Sequence, residues 1–223
     1  MNDPKASPFM NSLASVKSKV EVPELIERRR AQFIDAAIGL FGQHGYHVTT
    51  IKQIADAAGV SIGLIYQYVQ DKEDILFLAL VQVLDSYKRH IPQALEGIEA
   101  PLDRFRAAVR AYCQVNADNV NGTILAYRET KSLRKQRRLL IQQKETETNA
   151  LIASCIKDCL EAKLFNPVDV ELLTYQIVMF CHAWALKAWH FRSRMSVDEY
   201  VERGIALMMN PILTPKGKRT LRN

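Results

Sequence analysis

Glycine and proline are scarce in this chain of 223 residues, nine and eight in all. An all-β chain needs many tight turns, so so few turn formers argue against a sandwich or barrel. The same counts, with 48% hydrophobic and 24% charged residues, exclude collagen-like and disordered chains. No apolar run reaches the roughly 18 residues of a membrane span. The apolar uncharged stretch Leu172 to Leu186 contains Thr174, Gln176 and His182 and is too short. The N-terminal stretch carries Pro4, Pro8 and scattered Lys and Ser and has no apolar core of a secretory signal, so residues 1–23 are expected to be a disordered arm or the remains of an alternative start. Only four cysteines occur, Cys113, Cys155, Cys159 and Cys181, all in apolar helical surroundings. Reduced thiols and a cytoplasmic location are expected. Cys155 and Cys159 fall at i, i+4, but no second Cys or His pair with zinc spacing accompanies them, so neither a metal nor a cofactor is expected. A nucleophile motif, a Gly-rich phosphate loop and paired catalytic carboxylates are likewise missing, which argues against an enzyme.

The net charge is +6, which by itself suggests a nucleic-acid partner. The distribution removes that argument. Residues 1–90 hold ten basic and ten acidic side chains, and the rest of the chain carries the whole excess. Any case for DNA must rest on particular residues.

What is present is helical periodicity. Ile34, Ala37, Ile38 and Phe41 fall at i, i+3, i+4, i+7, and Gly42 and Gly45 end that helix. Thr50 with Gln53 reads as a capping box for a short helix through Ile51, Ile54, Ala55 and Ala58. Gly59 breaks it, Ser61 caps Ile62 to about Val69, and Asp71 with Asp74 opens a longer helix. Pro92 and Pro101 bracket a hinge-like loop, Gln93 to Ala100. Helices are expected over Leu102–Asp118, Thr123–Leu133, Lys135–Lys163, Val168–Phe191 and Ser196–Met209, with a sharp turn at Asn166-Pro167 and a disordered basic tail around Pro215–Arg219. The fold class is all-α: an N-terminal three-helix DNA-binding domain (24–70), a larger helical ligand-binding and dimerisation domain (71–210) and a tail (211–223).

The segment Thr49 to Ile75 is two short helices joined by a glycine turn, a helix-turn-helix. Small Ala55 and Ala58 let the helices cross closely, and Val60 and Ile65 fill the angle between them. The stretches Ala36–Phe41, Gly45-Tyr46, Thr49–Ile51, Ile54-Ala55, Ala58–Ser61, Ile65–Val69 and Asp71–Leu76 resemble the DNA-binding domain of the TetR family of bacterial repressors. The resemblance implies that Thr50, with the first amides of its helix, touches phosphate. It implies that Tyr66 and Tyr68 give hydroxyls to the DNA backbone and that Lys72 neutralises another phosphate. Ser61, Ile62, Gly63, Leu64 and Gln67 stand on the second helix, where Gln67 can pair with adenine and Ile62 can meet a thymine methyl. Tyr66 also admits a half-buried packing role, and Lys72 a capping one. Many relatives carry Lys or Thr where this chain has Ile62 and Leu64, which shifts readout toward shape and methyl groups.

Val168–Phe191 is apolar on nearly all sides. A helix covering its own core shows one stripe, so a second apolar side needs a second partner. The family layout implies a homodimer built on the last two long helices, reading a palindromic operator in double-stranded DNA. It also implies an effector cavity, for which Phe105, Val109, Tyr112, Tyr127, Phe180, His182 and Trp184 are the candidate lining. Arg128, Lys131, Arg134, Lys135, Arg137 and Arg138 form a basic run opposed locally by Glu129 alone. That run reads either as a solvated face or as a mouth for an anionic effector, with Arg134, Arg137 and Arg138 as contacts. Glu129–Leu133 and Ala183–Trp189 look like members of the family that sense acyl-CoA. The small-molecule partner is then an acyl-CoA or another amphipathic ligand. A helical enzyme or acyl-CoA carrier with a vestigial helix-turn-helix is the competing reading.

Overall fold

The computed structural model describes residues 16–221, and the remainder of the N-terminal arm and the last two residues lie outside it. Among the described residues eleven α-helices follow in order: α1 (Pro23–His44), α2 (Ile51–Ala58), α3 (Ile62–Tyr68), α4 (Lys72–Ala94), α5 (Pro101–Asp118) and α6 (Val120–Glu129). After a 3-10 turn (Thr130–Ser132) come α7 (Lys135–Glu161), α8 (Val170–Leu186), α9 (Ala188–Phe191), α10 (Val197–Met209) and α11 (Pro215–Thr220). Among the described residues the extended pairing is a single antiparallel bridge between Phe165 and Leu213. The chain divides into two compact units: Asp85 and the residues before it with Ile124–Gln142, and Ser86–Thr123 with Gln143 onward.

In the first unit α1 packs on α2 and α3. Its buried side chains, Arg30, Phe33, Ile34, Ala37, Ile38 and Phe41, follow the helical period one face long. Each large apolar side chain removed from water contributes about 1.5–3 kcal/mol. Helix α1 runs through Gly42 and ends at Gly45, whose φ of 90° suits glycine and whose N–H reaches the Phe41 carbonyl. Gly42 was expected to help end it, but nothing at that position requires a left-handed backbone. Helix α2 starts on the expected capping box, with Gln53 N–H on Thr50 Oγ1 (3.2 Å) and Thr50 N–H on Gln53 Oε1 (2.8 Å). Gly59 takes the left-handed turn (φ 65°), and Ser61 Oγ caps α3 by accepting Leu64 N–H at 3.1 Å. Helix α4 is capped by two carboxylates: Asp71 Oδ1 accepts Asp74 N–H (2.9 Å) and Asp74 Oδ2 accepts Gln70 N–H (2.6 Å).

In the second unit α5 packs on α8 and α10. Phe105, Val109, Tyr112 and Cys113 from α5 join Ile177, Val178, Cys181 and Trp184 from α8 and Tyr200, Val201 and Ile205 from α10 in the core. Arg106 and Arg110 of α5 pair with Glu202 of α10 along the outside of that contact.

Several expected boundaries move. Pro92 lies inside α4, which continues to Ala94, so the hinge-like loop from Gln93 shrinks. The expected helix Thr123–Leu133 stops at Glu129, where Thr130 Oγ1 bonds back to the Ala126 carbonyl at 2.7 Å and competes with the helix ladder. Val168–Phe191 is two helices, because Lys187 leaves helical dihedrals (φ −120°, ψ 28°) and Phe191 turns to stack on Trp184. The tail expected to be disordered is α11, capped by Thr214 Oγ1 on Gly217 N–H (3.0 Å) and begun by Pro215. Residues 16–22 of the expected arm are also placed, with Val16 buried.

Candidate nucleic-acid interface

Helix α3 stands on Ile65 and Tyr68, both buried, three residues apart on its inner side. The outer side presents Ser61, Ile62, Gly63, Tyr66 and Gln67 to solvent, with Leu64 half-buried. Tyr66 is 43% exposed. The Tyr68 ring, expected to offer a hydroxyl to the DNA backbone, is instead 3% exposed and belongs to the core. Thr50 is exposed at the start of α2, with its hydroxyl committed to the capping box.

The Lys72 ammonium is engaged by the chain's own backbone. Its Nζ donates to the carbonyls of Tyr46 (2.9 Å), His47 (3.1 Å) and Thr49 (3.0 Å) and lies 4.6 Å from the centre of the Tyr46 ring. An ammonium has three donors, and all are used to close the loop between α1 and α2. Burial lowers its pKa, against the pull of Glu129. Lys72 thus has a structural role in closing that loop.

Arg30 was not singled out in the sequence. Its guanidinium donates to the Tyr68 carbonyl through Nε (3.2 Å) and Nη2 (2.9 Å) and to the Val16 carbonyl through Nη2 (2.7 Å). It thus satisfies the C-terminal end of α3 and holds the N-terminal segment beside it. Burial lowers its pKa, partly offset by Asp74. The available signal was its register: Arg30 shares the i, i+3, i+4, i+7 face of Phe33, Ile34 and Ala37. Lys17, Ser18, Lys19, Tyr66, Gln67, Val69 and Gln70 line a surface depression of about 430 Å³ at that end of α3.

The basic run is not opposed by Glu129 alone. Arg134 pairs with Asp71 (2.8 Å) and Glu73 (3.0 Å), and Arg137 pairs with Glu73 (3.5 Å) and Asp74. These acids stand far away in sequence, at the start of α4. Burial works to raise the Asp71 pKa, but the Asp74 amide and Arg134 together hold it below its ordinary value. Arg134 and Arg137 thus tie the start of α7 to the start of α4. Arg138 makes no ion pair among the described residues.

The residues expected to line a cavity are spread over several places. Tyr112 and His182 meet, with the hydroxyl 3.3 Å from His182 Nε2 and donating to Asn149 Oδ1 at 3.2 Å. Beside them Tyr87 Oη and Thr123 Oγ1 both donate to Asn116 Oδ1 at 2.9 Å. Burial pushes His182 down to about 4, so its ring is neutral near pH 7. Asn149 Nδ2 and Trp184 Nε1 are buried without a hydrogen-bond partner among the described residues. Phe180 stacks on Tyr200 at 4.4 Å and Trp184 packs on Tyr200 and Phe191. Phe105 meets Phe165 edge-on at 5.5 Å, and the Val109 carbonyl accepts from Cys181 Sγ. Tyr127 lies in the other unit and is exposed. Burial raises the Cys155 and Cys159 thiols, Cys159 to about 12, so both are protonated near pH 7.

A capped, solvent-facing α3 set against α1 and α2 defines a helix-turn-helix transcriptional regulator. Residues 33–79 match the family described as bacterial regulatory proteins, tetR family, and residues 99–210 match the tetracyclin repressor-like C-terminal domain. The chain belongs to the TetR family of transcriptional regulators. It is 52% identical over 212 residues to the HTH-type transcriptional regulator HbdR of Aromatoleum sp. (strain CIB), covering 95% of this chain and 93% of that one. Among solved structures, a tetR-family regulatory protein from Rhodococcus RHA1 aligns with TM-score 0.74 and 24% identity over 82% of this chain and 95% of that one. AibR, solved in complex with isovaleryl coenzyme A and operator DNA, aligns with TM-score 0.70 and 18% identity over 80% of this chain and 97% of that one. No helix among the described residues is long and apolar enough to cross a membrane.

Proposed function

We propose that the protein is a cytoplasmic, dimeric repressor that reads a palindromic operator with α3 and is released from it by a small amphipathic effector. The observation that carries the DNA reading is the outer face of α3. Ile62, Gly63, Tyr66 and Gln67 are exposed together on a helix whose inner residues, Ile65 and Tyr68, fix its orientation. Gln67 offers a donor and an acceptor to adenine, and Ile62 an apolar contact to thymine.

The dimer reading is supported by apolar side chains left in solvent on α8 and α10. Leu172, Tyr175 and Met179 fall at i, i+3, i+7 on the side of α8 opposite its buried face, and Leu207 on α10 is 77% exposed. Water contact at such a stripe is relieved when two copies meet.

The effector reading is supported by the polar cluster of Tyr112, Asn149 and His182 inside an otherwise apolar core. Buried donors without partners are costly, and a ligand acceptor beside Asn149 Nδ2 would repay that cost. An acyl-CoA thioester, the ligand class named in the AibR complex, joins an apolar acyl chain to a carbonyl and is our candidate. With Arg134 and Arg137 paired to carboxylates, the acyl part and its carbonyl, rather than the phosphates, carry most of the recognition. Ligand acts on DNA binding through α4, whose residues up to Asp85 belong to one unit and whose later residues belong to the other. Such coupling requires different affinities for the DNA-bound and free states. Calorimetry with acyl-CoAs of increasing chain length on wild type and Asn149→Leu tests it. Binding that strengthens by about 0.8 kcal/mol per buried methylene and weakens in the variant is expected. No binding of any acyl-CoA to wild type rejects that effector class.

A further inference from the structure

The recognition helix brings no positive charge of its own, since α3 is Ile-Gly-Leu-Ile-Tyr-Gln-Tyr. A helix that enters a groove is flanked by two rows of phosphates, and affinity for DNA comes largely from cations placed on them. The Lys72 ammonium is held by three carbonyls of the loop between α1 and α2. Cations beside the exposed face of α3 come from a different stretch of chain. Lys17 and Lys19 are both exposed and line the same depression as Tyr66 and Gln67.

That stretch is tied to α3. Lys19 N–H donates to the Gln67 carbonyl at 2.8 Å, and Ser18 Oγ donates to the same carbonyl at 3.2 Å. Ser18 Oγ also accepts Val20 N–H at 3.0 Å, which curls the segment around it. One residue before Lys17, Val16 is buried and its carbonyl is gripped by the Arg30 guanidinium that also holds the Tyr68 carbonyl. Ser18 therefore turns inward to α3 while the lysines on either side of it face solvent. Ordering the segment in the free protein lowers the entropy lost when it meets a ligand.

We propose that Val16–Val20 is a second DNA-contacting element, a strap across the C-terminal end of α3 whose Lys17 and Lys19 neutralise phosphates bordering the groove that α3 enters. The inference rests on the DNA-binding reading above. Lysine is a flexible point charge rather than a bidentate reader, so the strap adds affinity and salt dependence without sequence preference. Arg30 is its positioning residue: one guanidinium orders both the end of the recognition helix and the start of the strap.

The test uses the full chain and a duplex enriched by it from a randomised pool, with affinity measured across a salt series. Lys17→Ala/Lys19→Ala should flatten the dependence of log affinity on log salt by about 1.8 per bound protomer, at about 0.9 for each phosphate neutralised. The ranking of mismatched duplexes should not change. Lys17→Arg/Lys19→Arg should restore the wild-type slope, as a charge effect requires. If wild type binds and the double alanine variant keeps its slope, or if the arginine pair fails to restore it, the strap is overturned and the role of α3 stands. If wild type enriches no duplex, the DNA reading itself falls.

Discussion

A buried imidazole stays neutral because charging it there would strip a cation of water. His182 is 8% exposed, and its pKa falls from the ordinary 6.5 to about 4 through burial. The folded value is lowered, so between these two limits the unfolded chain binds the proton more readily than the folded one. Stability is then full above pH 6.5, declines as pH falls toward 4, and does not decline further from this group below it. A shift of this size corresponds to roughly 3 kcal/mol. Replacing His182 with Gln keeps a neutral polar group beside Tyr112 and should flatten that acid limb in urea midpoints measured across pH. An unchanged limb would show that other groups set it. At this scale the sequence reveals side-chain types but not where their donors point. Lys72 and Arg30 are both cations on helices, yet each is engaged by backbone carbonyls distant in sequence. Arg134 and Arg137 are balanced by Asp71, Glu73 and Asp74 for the same reason, and a local charge count cannot see those partners.

Among the elements, α1 to α3 were legible because each ends on a residue whose chemistry is local. The Thr50–Gln53 capping box, Ser61 and the positive-φ turns at Gly45 and Gly59 act within a few positions. The later helices depend on packing between distant segments, which explains the shifted ends at Glu129, Leu186 and Ala94. The basic tail was misread because its order comes from elsewhere. Gly217 of α11 lies against the Leu164 carbonyl so closely that a Cβ there would sit 2.3 Å from the oxygen. Gly204 on α10 plays a similar part against α8. A Cβ at that position would come within 2.1 Å of the Phe180 ring, which is already stacked on Tyr200. Gly204→Ala should destabilise the protein by about 1–3 kcal/mol, seen as a lower Tm. Phe180→Leu added to it should recover part of the loss by vacating the ring position. A Gly204→Ala variant as stable as wild type would mean that the ring moves aside freely.

For the molecule as a whole, the amphipathic pattern anticipated the all-α class, and the two-sided apolar character of the segment after Val168 anticipated an exposed stripe on α8. The effector-lining residues were less legible. An aromatic at helical spacing faces the core in either case, and the sequence does not separate Tyr112 and His182, which meet, from Phe105 and Phe180, which pack elsewhere. If the stripe is a dimer contact, Met179→Glu/Leu207→Glu should give monomers by light scattering at concentrations where wild type is dimeric, and should lower operator affinity more than any single change on α3. A wild type that is monomeric at micromolar concentration would contradict the dimer.

The most direct measurement is selection of duplexes from a randomised pool by the full chain, followed by the same selection with Gln67→Ala. Wild type should enrich a two-fold symmetric motif, with preference relaxed at matching positions in both half-sites for the variant, at a cost of about 1–3 kcal/mol for the lost base contact. Enrichment of no motif, or of one that Gln67→Ala leaves unchanged along with Ile62→Ala and Tyr66→Ala, would contradict the assignment of α3 as the reading head.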